Sequence, residues 1–213
     1  MIKIVAISDT HGHQPTLPEG DVLIVAGDWS GCGTYQETRK FLKWMKEIRH
    51  RYDEIYVVPG NHDKIVEQEP KLIEQECDDI DVTLLINKEA RYRAHSFYGH
   101  PYTPEFCNWA FMGDEEKLKL INDAIPDNID VLITHGPAHY TLDKLPLRSS
   151  APGTHCGDKS LRDAILRVQP QYHIFGHIHS NSGITKVGNT TIVNAAYLDD
   201  DYKTIHGHKV VYL

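Results

Sequence analysis

Ile2-Lys3-Ile4-Val5-Ala6-Ile7-Ser8-Asp9-Thr10-His11 is a short apolar, β-branched run that gives way at once to a carboxylate and an imidazole. A run of that length bounded by a turn signal fits a buried strand. The same reading applies to residues 22–26, 55–58, 131–134 and 173–175, each with Gly or Pro within two residues. Between the second and third runs, residues 34–50 predict an amphipathic helix. Thr34 and Glu37 stand at capping-box spacing, and Phe41, Leu42, Met45 and Ile48 recur at helical intervals. Residues 115–124 and 158–168 carry the same period, the latter stopped by Pro170.

Strands alternating with helices imply crossover connections, hence a buried and largely parallel sheet in the first half. The tail reads differently. Residues 184–187 and 190–193 flank Gly188-Asn189, a hairpin dipeptide, and residues 209–212 form a last strand after His206-Gly207. A second, antiparallel layer beside the first is therefore expected. Residues 145–157, rich in Pro and Gly, are expected to form a mobile loop, and the acidic runs 67–76 and 199–201 to be solvated faces.

The chain has 213 residues, a length that suits one domain with a substantial core. A formal net charge of -8 argues against a non-specific binder of long nucleic acid. The N-terminal run is too short for a signal peptide and no apolar stretch reaches bilayer-spanning length, so neither secretion nor a membrane is expected. Cys32, Cys77, Cys107 and Cys156 are widely spaced without a CxxC pair, which favours reduced thiols and a cytoplasmic location.

Each of the five predicted strands is followed by groups able to bind metal: Asp9 and His11, then Asp28, then Asn61 and His62, then His135, then His177 and His179. In open α/β folds ligands gather outside the carboxyl ends of strands, so residues far apart in the chain can converge there. Carboxylates, imidazoles and an amide oxygen, with no thiolate, suit Mn, Fe, Zn, Co or Ni rather than a structural Cys-rich zinc. So many candidates exceed what one tetrahedral ion takes and fit two divalent ions sharing a carboxylate. Asp28 is the natural bridge, because Gly27 and Gly31 let the backbone turn close to metal. Two ions about 3.5–4 Å apart generate a hydroxide nucleophile and clamp an in-line displacement.

Asp9-Thr10-His11, Gly27-Asp28, Gly60-Asn61-His62-Asp63, His135 and Gly176-His177-Ile178-His179 form the ordered set DxH, GD, GNH(D/E), H and GHxH. In order and strand context this set resembles the calcineurin-like metallophosphoesterase superfamily. Gly99-His100-Pro101-Tyr102, Phe106-Cys107-Asn108-Trp109-Ala110-Phe111 and Thr134-His135-Gly136-Pro137 are further similar to the branch containing the brain-expressed metallophosphoesterase-domain proteins and their bacterial and phage relatives.

The resemblance implies a four-layer αββα sandwich, two mixed β-sheets packed together and flanked by helices. It implies one metal held by Asp9, His11, Asp28 and His179, another held by Asp28, Asn61, His135 and His177, and Mn as the first choice of ion. Asp28 and His62 are the catalytic candidates, His62 acting as an imidazolium beside the leaving group. Which acidic group orients His62 stays open, Asp63 being the adjacent one. Protein phosphatases of the superfamily continue GD into an Asp-Arg-Gly triplet, whereas this chain reads Gly27-Asp28-Trp29-Ser30-Gly31-Cys32-Gly33. The missing arginine favours a phosphodiester, which carries one fewer negative charge than a monoester dianion. The expected activity is hydrolysis of small phosphodiesters, cyclic nucleotides or similar, by a metal-bridging hydroxide. A phosphomonoesterase, a nuclease and a non-catalytic metal-binding module are the alternatives.

Asn61, His62, His100, Trp109 and His155 are the candidate substrate contacts. Trp109 has a second reading as core, since Phe106, Ala110 and Phe111 surround it. His13, His95, His139, His206 and His208 hold no motif position and read as ordinary solvated or hydrogen-bonded side chains.

Overall fold

The computed structural model describes residues 1–203 and 205–213. In chain order its elements are β1 (Lys3–Ile7), β2 (Val22–Ala26), α1 (Tyr35–Ile48), β3 (Glu54–Val58), α2 (Lys64–Gln68), α3 (Pro70–Asp78), β4 (Thr83–Leu84), β5 (Lys88–Tyr92) and β6 (His95–His100). There follow β7 (Thr103–Pro104), β8 (Met112–Gly113), α4 (Glu115–Asp123), β9 (Val131–Thr134), α5 (Lys159–Val168), β10 (Tyr172–Phe175), β11 (Gly183–Val187), β12 (Thr190–Asn194) and β13 (Lys209–Tyr212).

Two mixed sheets result, in the orders β13-β1-β2-β3-β4 and β11-β12-β10-β9-β6-β5, with β7 and β8 as a small separate pair. Alternation along each strand decides the layers, because successive side chains point to opposite faces. On β1, Ile4 and Ala6 face the second sheet, where they meet a core that includes Phe97, Val131, Ile133, Ile174 and Val193. Val5 and Ile7 face the other way, into a cluster with Phe41 and Met45 of α1 and Ile73 of α3. Beyond the second sheet, Tyr98 and Leu132 pack with Leu161, Ile165 and Val168 of α5. This is the four-layer sandwich expected from the motif resemblance.

The parallel sheet expected of the first half is present, β1, β2 and β3 pairing in parallel, while β9 and β10 pair in the second sheet. One expectation needs correction. The tail does not build an antiparallel layer of its own. β11 and β12 do form the predicted hairpin, but β12 lies parallel to β10, and β13 returns to the first sheet antiparallel to β1. The Gly188-Asn189 turn determines only the local pairing. Burial decides the rest, since β12 is nearly all buried and takes an interior place while the exposed β11 forms the edge. The β5–β6 hairpin and the two helices α2 and α3 carry too little local signal to be read from sequence. β5 is an exposed edge with no apolar alternation, and α3 buries only Ile73 and Cys77 beneath the acidic run expected to be a solvated face.

Thr34 caps α1 as predicted, with the reciprocal Thr34–Glu37 capping box present. Glu37 does more than cap: its second oxygen accepts the N–H groups of Gly31 and Cys32, each at 3.1 Å. The loop leaving Asp28 is thereby tied to the start of a helix. Residues 145–157 form no helix or strand and are closed at their base by an antiparallel bridge between Lys144 and His155. No helix among the described residues is long and apolar enough to cross a membrane.

Candidate metal centre

The strand ends of both sheets meet at one place. Ligand atoms of Asp9, His11 and His179 lie within 4.8 Å of one another, and so do those of Asp28, His135 and His177. A third such trio, His11, Asp28 and His62, overlaps the first two. Asn61 completes the cluster, with Oδ1 2.9 Å from His135 Nε2. All the motif residues named from the sequence are thus gathered together.

The backbone is bent to make this possible. Asp9, His11, Asp28 and His177 adopt positive φ angles of 54, 42, 55 and 70°, a conformation that typically costs about 1–3 kcal/mol for a residue with a side chain and tends to gather at functional sites. Two motif glycines permit the crowding. Gly27 has φ +96°, and a Cβ there would stand 2.3 Å from His135 Nδ1; a Cβ on Gly176 would stand 2.0 Å from Asp9 Oδ2. Neither position accepts even alanine.

Three imidazoles are held the same way. The Nδ1–H groups of His11, His135 and His179 donate to the carbonyl oxygens of Ser30 (3.1 Å), Ala26 (2.9 Å) and Asp199 (3.0 Å). A neutral imidazole with Nδ1–H so engaged presents a lone pair on Nε2. His11 Nε2 and His179 Nε2 stand 3.4 Å apart, and His179 Nε2 is 3.2 Å from Asp9 Oδ1. His135 Nε2 faces Asp28 Oδ2 at 3.3 Å. Electron pairs converging at such distances call for positive charge among them, so the residues present fit divalent cations.

The electrostatics agree. Burial disfavours an imidazolium at His135, yet the Asp28 carboxylate outweighs it and holds the pKa up at about 9. His179 is likewise opposed by burial and held at about 9 by Asp9. Burial would raise Asp9, but His179 brings it down to about 2, and Asp28 stays below the usual carboxylate range, burial being overcome by His135. His177, by contrast, is pushed down to about 3 by burial and then by the charge of His135.

His62 stands at the edge of this cluster, and the structure answers what orients it. Its Nδ1–H donates to the Gly31 carbonyl at 2.6 Å, while its backbone N–H donates to Asp28 Oδ1 at 2.8 Å. Asp63 turns the other way: fully buried, it accepts N–H groups from Asp28 and Gly60, both at 2.8 Å, and from Ser30 at 3.0 Å. Asp63 therefore braces the two loops that carry Asp28 and His62. Trp109 is half-buried and stacks on His62, with ring centroids 4.2 Å apart. Its reading as core is thereby set aside, although Ala110 and Phe111 beside it are buried.

His100 is not where the sequence suggested. It ends β6, pairs with Thr134, and is wholly buried on the face shared with Tyr98, so it lines no cleft. Burial lowers its pKa to about 4 against the pull of Asp158. The following Pro101 makes it look like a loop residue. His155 is half-buried, with Nδ1 2.5 Å from Asp143 Oδ1, and it lines a cavity of about 630 Å³ that none of the clustered motif residues lines.

Sequence reading also misses contacts that no motif marks. The Tyr202 ring meets His11 and His179 edge-on, at 4.7 and 5.3 Å, and the exposed Phe106 leans on His177 at 5.2 Å. The acidic run 199–201 is more than a solvated face, since the Asp199 carbonyl fixes His179 and Asp200 accepts the Ser180 N–H at 3.2 Å. Only proximity in the fold reveals these roles.

A two-sheet α/β fold that gathers carboxylates, imidazoles and an amide at its strand ends defines a metal-dependent hydrolase class. Within that class, the chain belongs to the calcineurin-like phosphoesterase family, whose model matches residues 2–181. It is 32% identical to metallophosphoesterase domain-containing protein 1 of Homo sapiens, over 96% of this chain and 68% of that protein. A UPF0046 protein of Caenorhabditis elegans is 34% identical, over 92% of this chain and 69% of its own length. A crystal structure of a Thermus thermophilus protein superposes with a TM-score of 0.62, covering 99% of this chain and 98% of that one, at 11% identity; this likeness is one of fold alone. The protein is a metal-dependent phosphoesterase.

Proposed function

We propose that this chain hydrolyses small phosphodiesters, cyclic nucleotides or similar, using two divalent ions that share Asp28. One ion would be held by Asp9, His11, Asp28 and His179, the other by Asp28, Asn61, His135 and His177, with Mn the first candidate. The observation that carries this reading is the pair of ligand trios, Asp9-His11-His179 and Asp28-His135-His177, joined by a third in which Asp28 lies with His11. Such ions, when bound, supply an activated water and neutralise charge on the phosphoryl oxygens. The chain's own part is then to hold the ligands without further reorganisation and to deliver a proton. His62 keeps Nδ1–H on the Gly31 carbonyl, and as an imidazolium it has Nε2–H left to donate to the leaving oxygen.

The choice of a diester is supported by the stretch after Gly27-Asp28, where residues 29–33 carry no arginine to present to the phosphate and Trp29 is buried and stacked on Phe41. A substrate with one negative charge needs less cationic clamping. The free state of all four cysteines fits a reducing cytoplasm.

The test is a substrate panel on Mn-loaded protein. Bis(p-nitrophenyl) phosphate and 2′,3′- and 3′,5′-cyclic nucleotides are expected to be cleaved with higher kcat/KM than p-nitrophenyl phosphate. Cleavage of the monoester alone would replace the diester reading by a phosphomonoesterase, and inertness towards every member of the panel would favour a binding module. The trio containing His62 supports a second reading, in which His62 is itself a ligand. Metal content of His62→Ala decides between the two.

A further inference from the structure

His62 is tethered at a single ring atom. A hydrogen bond from Nδ1 to the Gly31 carbonyl fixes where that nitrogen sits, and the ring of His11 meets the imidazole edge-on with centroids 4.7 Å apart. Proton delivery demands more, because Nε2–H has to point at the leaving oxygen, and a misplacement of about 1 Å can cost on the order of 10²-fold in rate. The constraint on the face of the ring is Trp109, whose indole lies against the imidazole at 4.2 Å with an interplanar angle of 30°.

Trp109 is itself held by its surroundings. The N–H of Ala110 donates to the Asn61 carbonyl at 3.2 Å, so the segment bearing the indole is fastened to the residue next to His62. One residue further, the N–H of Phe111 donates to Glu67 of α2 at 2.8 Å, and Phe111 is buried. Lys64, at the start of the same helix, places its ammonium 4.2 Å from the centre of the indole ring. An aromatic plane whose segment is fastened at Ala110 and Phe111, and which is pressed on one catalytic imidazole, is a support built for orientation.

We infer that Trp109 is a positioning residue for His62: it sets the plane of the imidazole so that the P–O bond to the leaving group breaks as the proton passes from Nε2 to the departing oxygen. This rests on the proposed phosphodiesterase reading. It differs from a role in stacking on the substrate, which acts on binding.

The two roles separate by leaving group. A p-nitrophenolate departs without needing a proton, whereas a cyclic nucleotide releases an alkoxide that does. With Mn-loaded protein, Trp109→Ala is expected to lower kcat on a 3′,5′-cyclic nucleotide by about 10- to 100-fold, while bis(p-nitrophenyl) phosphate loses less than about threefold. Trp109→Phe, which keeps an aromatic plane, is expected to recover most of the loss. Metal content should be unchanged, and the double variant Trp109→Ala/His62→Ala should turn over no more slowly than His62→Ala alone. Equal kcat losses on both substrates, a change confined to KM, loss of metal, or a loss adding in full to that of His62→Ala would each overturn the inference. Wild type that cleaves neither diester sinks the parent reading with it. Wild type that cleaves both, with His62→Ala slowed and Trp109→Ala not, sinks this inference alone.

Discussion

The two sheets contribute unlike halves to the metal centre. From the ends of β1, β2 and β3 in the first come two carboxylates, an amide and His11, with His62 beside them; from β9 and β10 in the second come only imidazoles, His135, His177 and His179. Each half is electrostatically incomplete. Asp9 meets His179 and Asp28 meets His135 across the junction, and each imidazole is held near a pKa of 9 by a carboxylate of the other sheet. The Nδ1–H of His135 even donates to Ala26 at the end of β2. The packing of sheet on sheet is therefore part of the site, and the buried residues between them, such as Ile24 and Ile133, support its geometry as much as the stability of the fold.

The most severe way to break this division is to remove the residue both ions would share. Asp28→Ala should bind neither ion and fall to background turnover, as measured by metal analysis and hydrolysis of bis(p-nitrophenyl) phosphate. Retention of one full equivalent of metal would show that the halves work independently. Next in size, His62→Ala should keep its metal and lose about 10²- to 10⁴-fold in turnover on an alkoxide-releasing diester, the usual span for a general acid.

A third expectation sharpens the contrast between carboxylate and imidazole halves. Asp9 and Asp28 are ionised throughout the neutral range, whereas His135 and His179, raised to about 9, must give up protons before a cation can bind. Metal affinity should therefore rise as pH increases towards about 9, and fall by about tenfold per pH unit below it for each imidazole still protonated. Titration calorimetry in buffers of different ionisation enthalpy would show the proton release, and a pH-independent affinity would contradict it.

The smallest effect belongs to the brace on the first sheet. Glu37 is opposed by burial, yet the Thr34 N–H and hydroxyl and the N–H groups of Cys32 and Gly31 bring its pKa down to about 2. A folded-state value below the unfolded one means stability that is present above roughly pH 4.3 and lost as pH falls towards 2. Solvent exposure screens it, so Glu37→Gln should cost only about 1 kcal/mol at pH 7 in denaturant unfolding. Because Gly31 carries the carbonyl that holds His62, the same variant should also slow the alkoxide-releasing substrate more than the nitrophenolate one.

Much of this is legible in the chain, for an identifiable reason. The run from Ile2 to His11 shows both its strand and its ligands, because strand period and the turn that follows are properties of neighbouring residues. Helix α1 is readable from Thr34 and Glu37 for the same reason. Where neighbours mislead, the reading fails. His100 beside Pro101 looks like a cleft residue and is buried; what orients His62 stays open in the sequence, and in the fold the adjacent Asp63 braces backbone. The hairpin at Gly188-Asn189 is visible, but the sheet that receives β12 is not.

By itself, then, the sequence determined which chemical groups stand after each strand, where the periodic elements lie, and hence a family of metal-binding hydrolases. Tertiary structure alone decided that five strands divide between two sheets, that Asp28 shares one ligand trio with His135 and His177 and another with His11 and His62, that Gly31 accepts from His62 and Trp109 stacks on it, and that Tyr202 and Phe106 rim the cluster. Local pattern records what a residue is and how its own segment folds. Contacts across 100 or more positions, such as Ala26 with His135 or Asp9 with His179, are set by the burial of whole faces against each other, and no short stretch of chain encodes them.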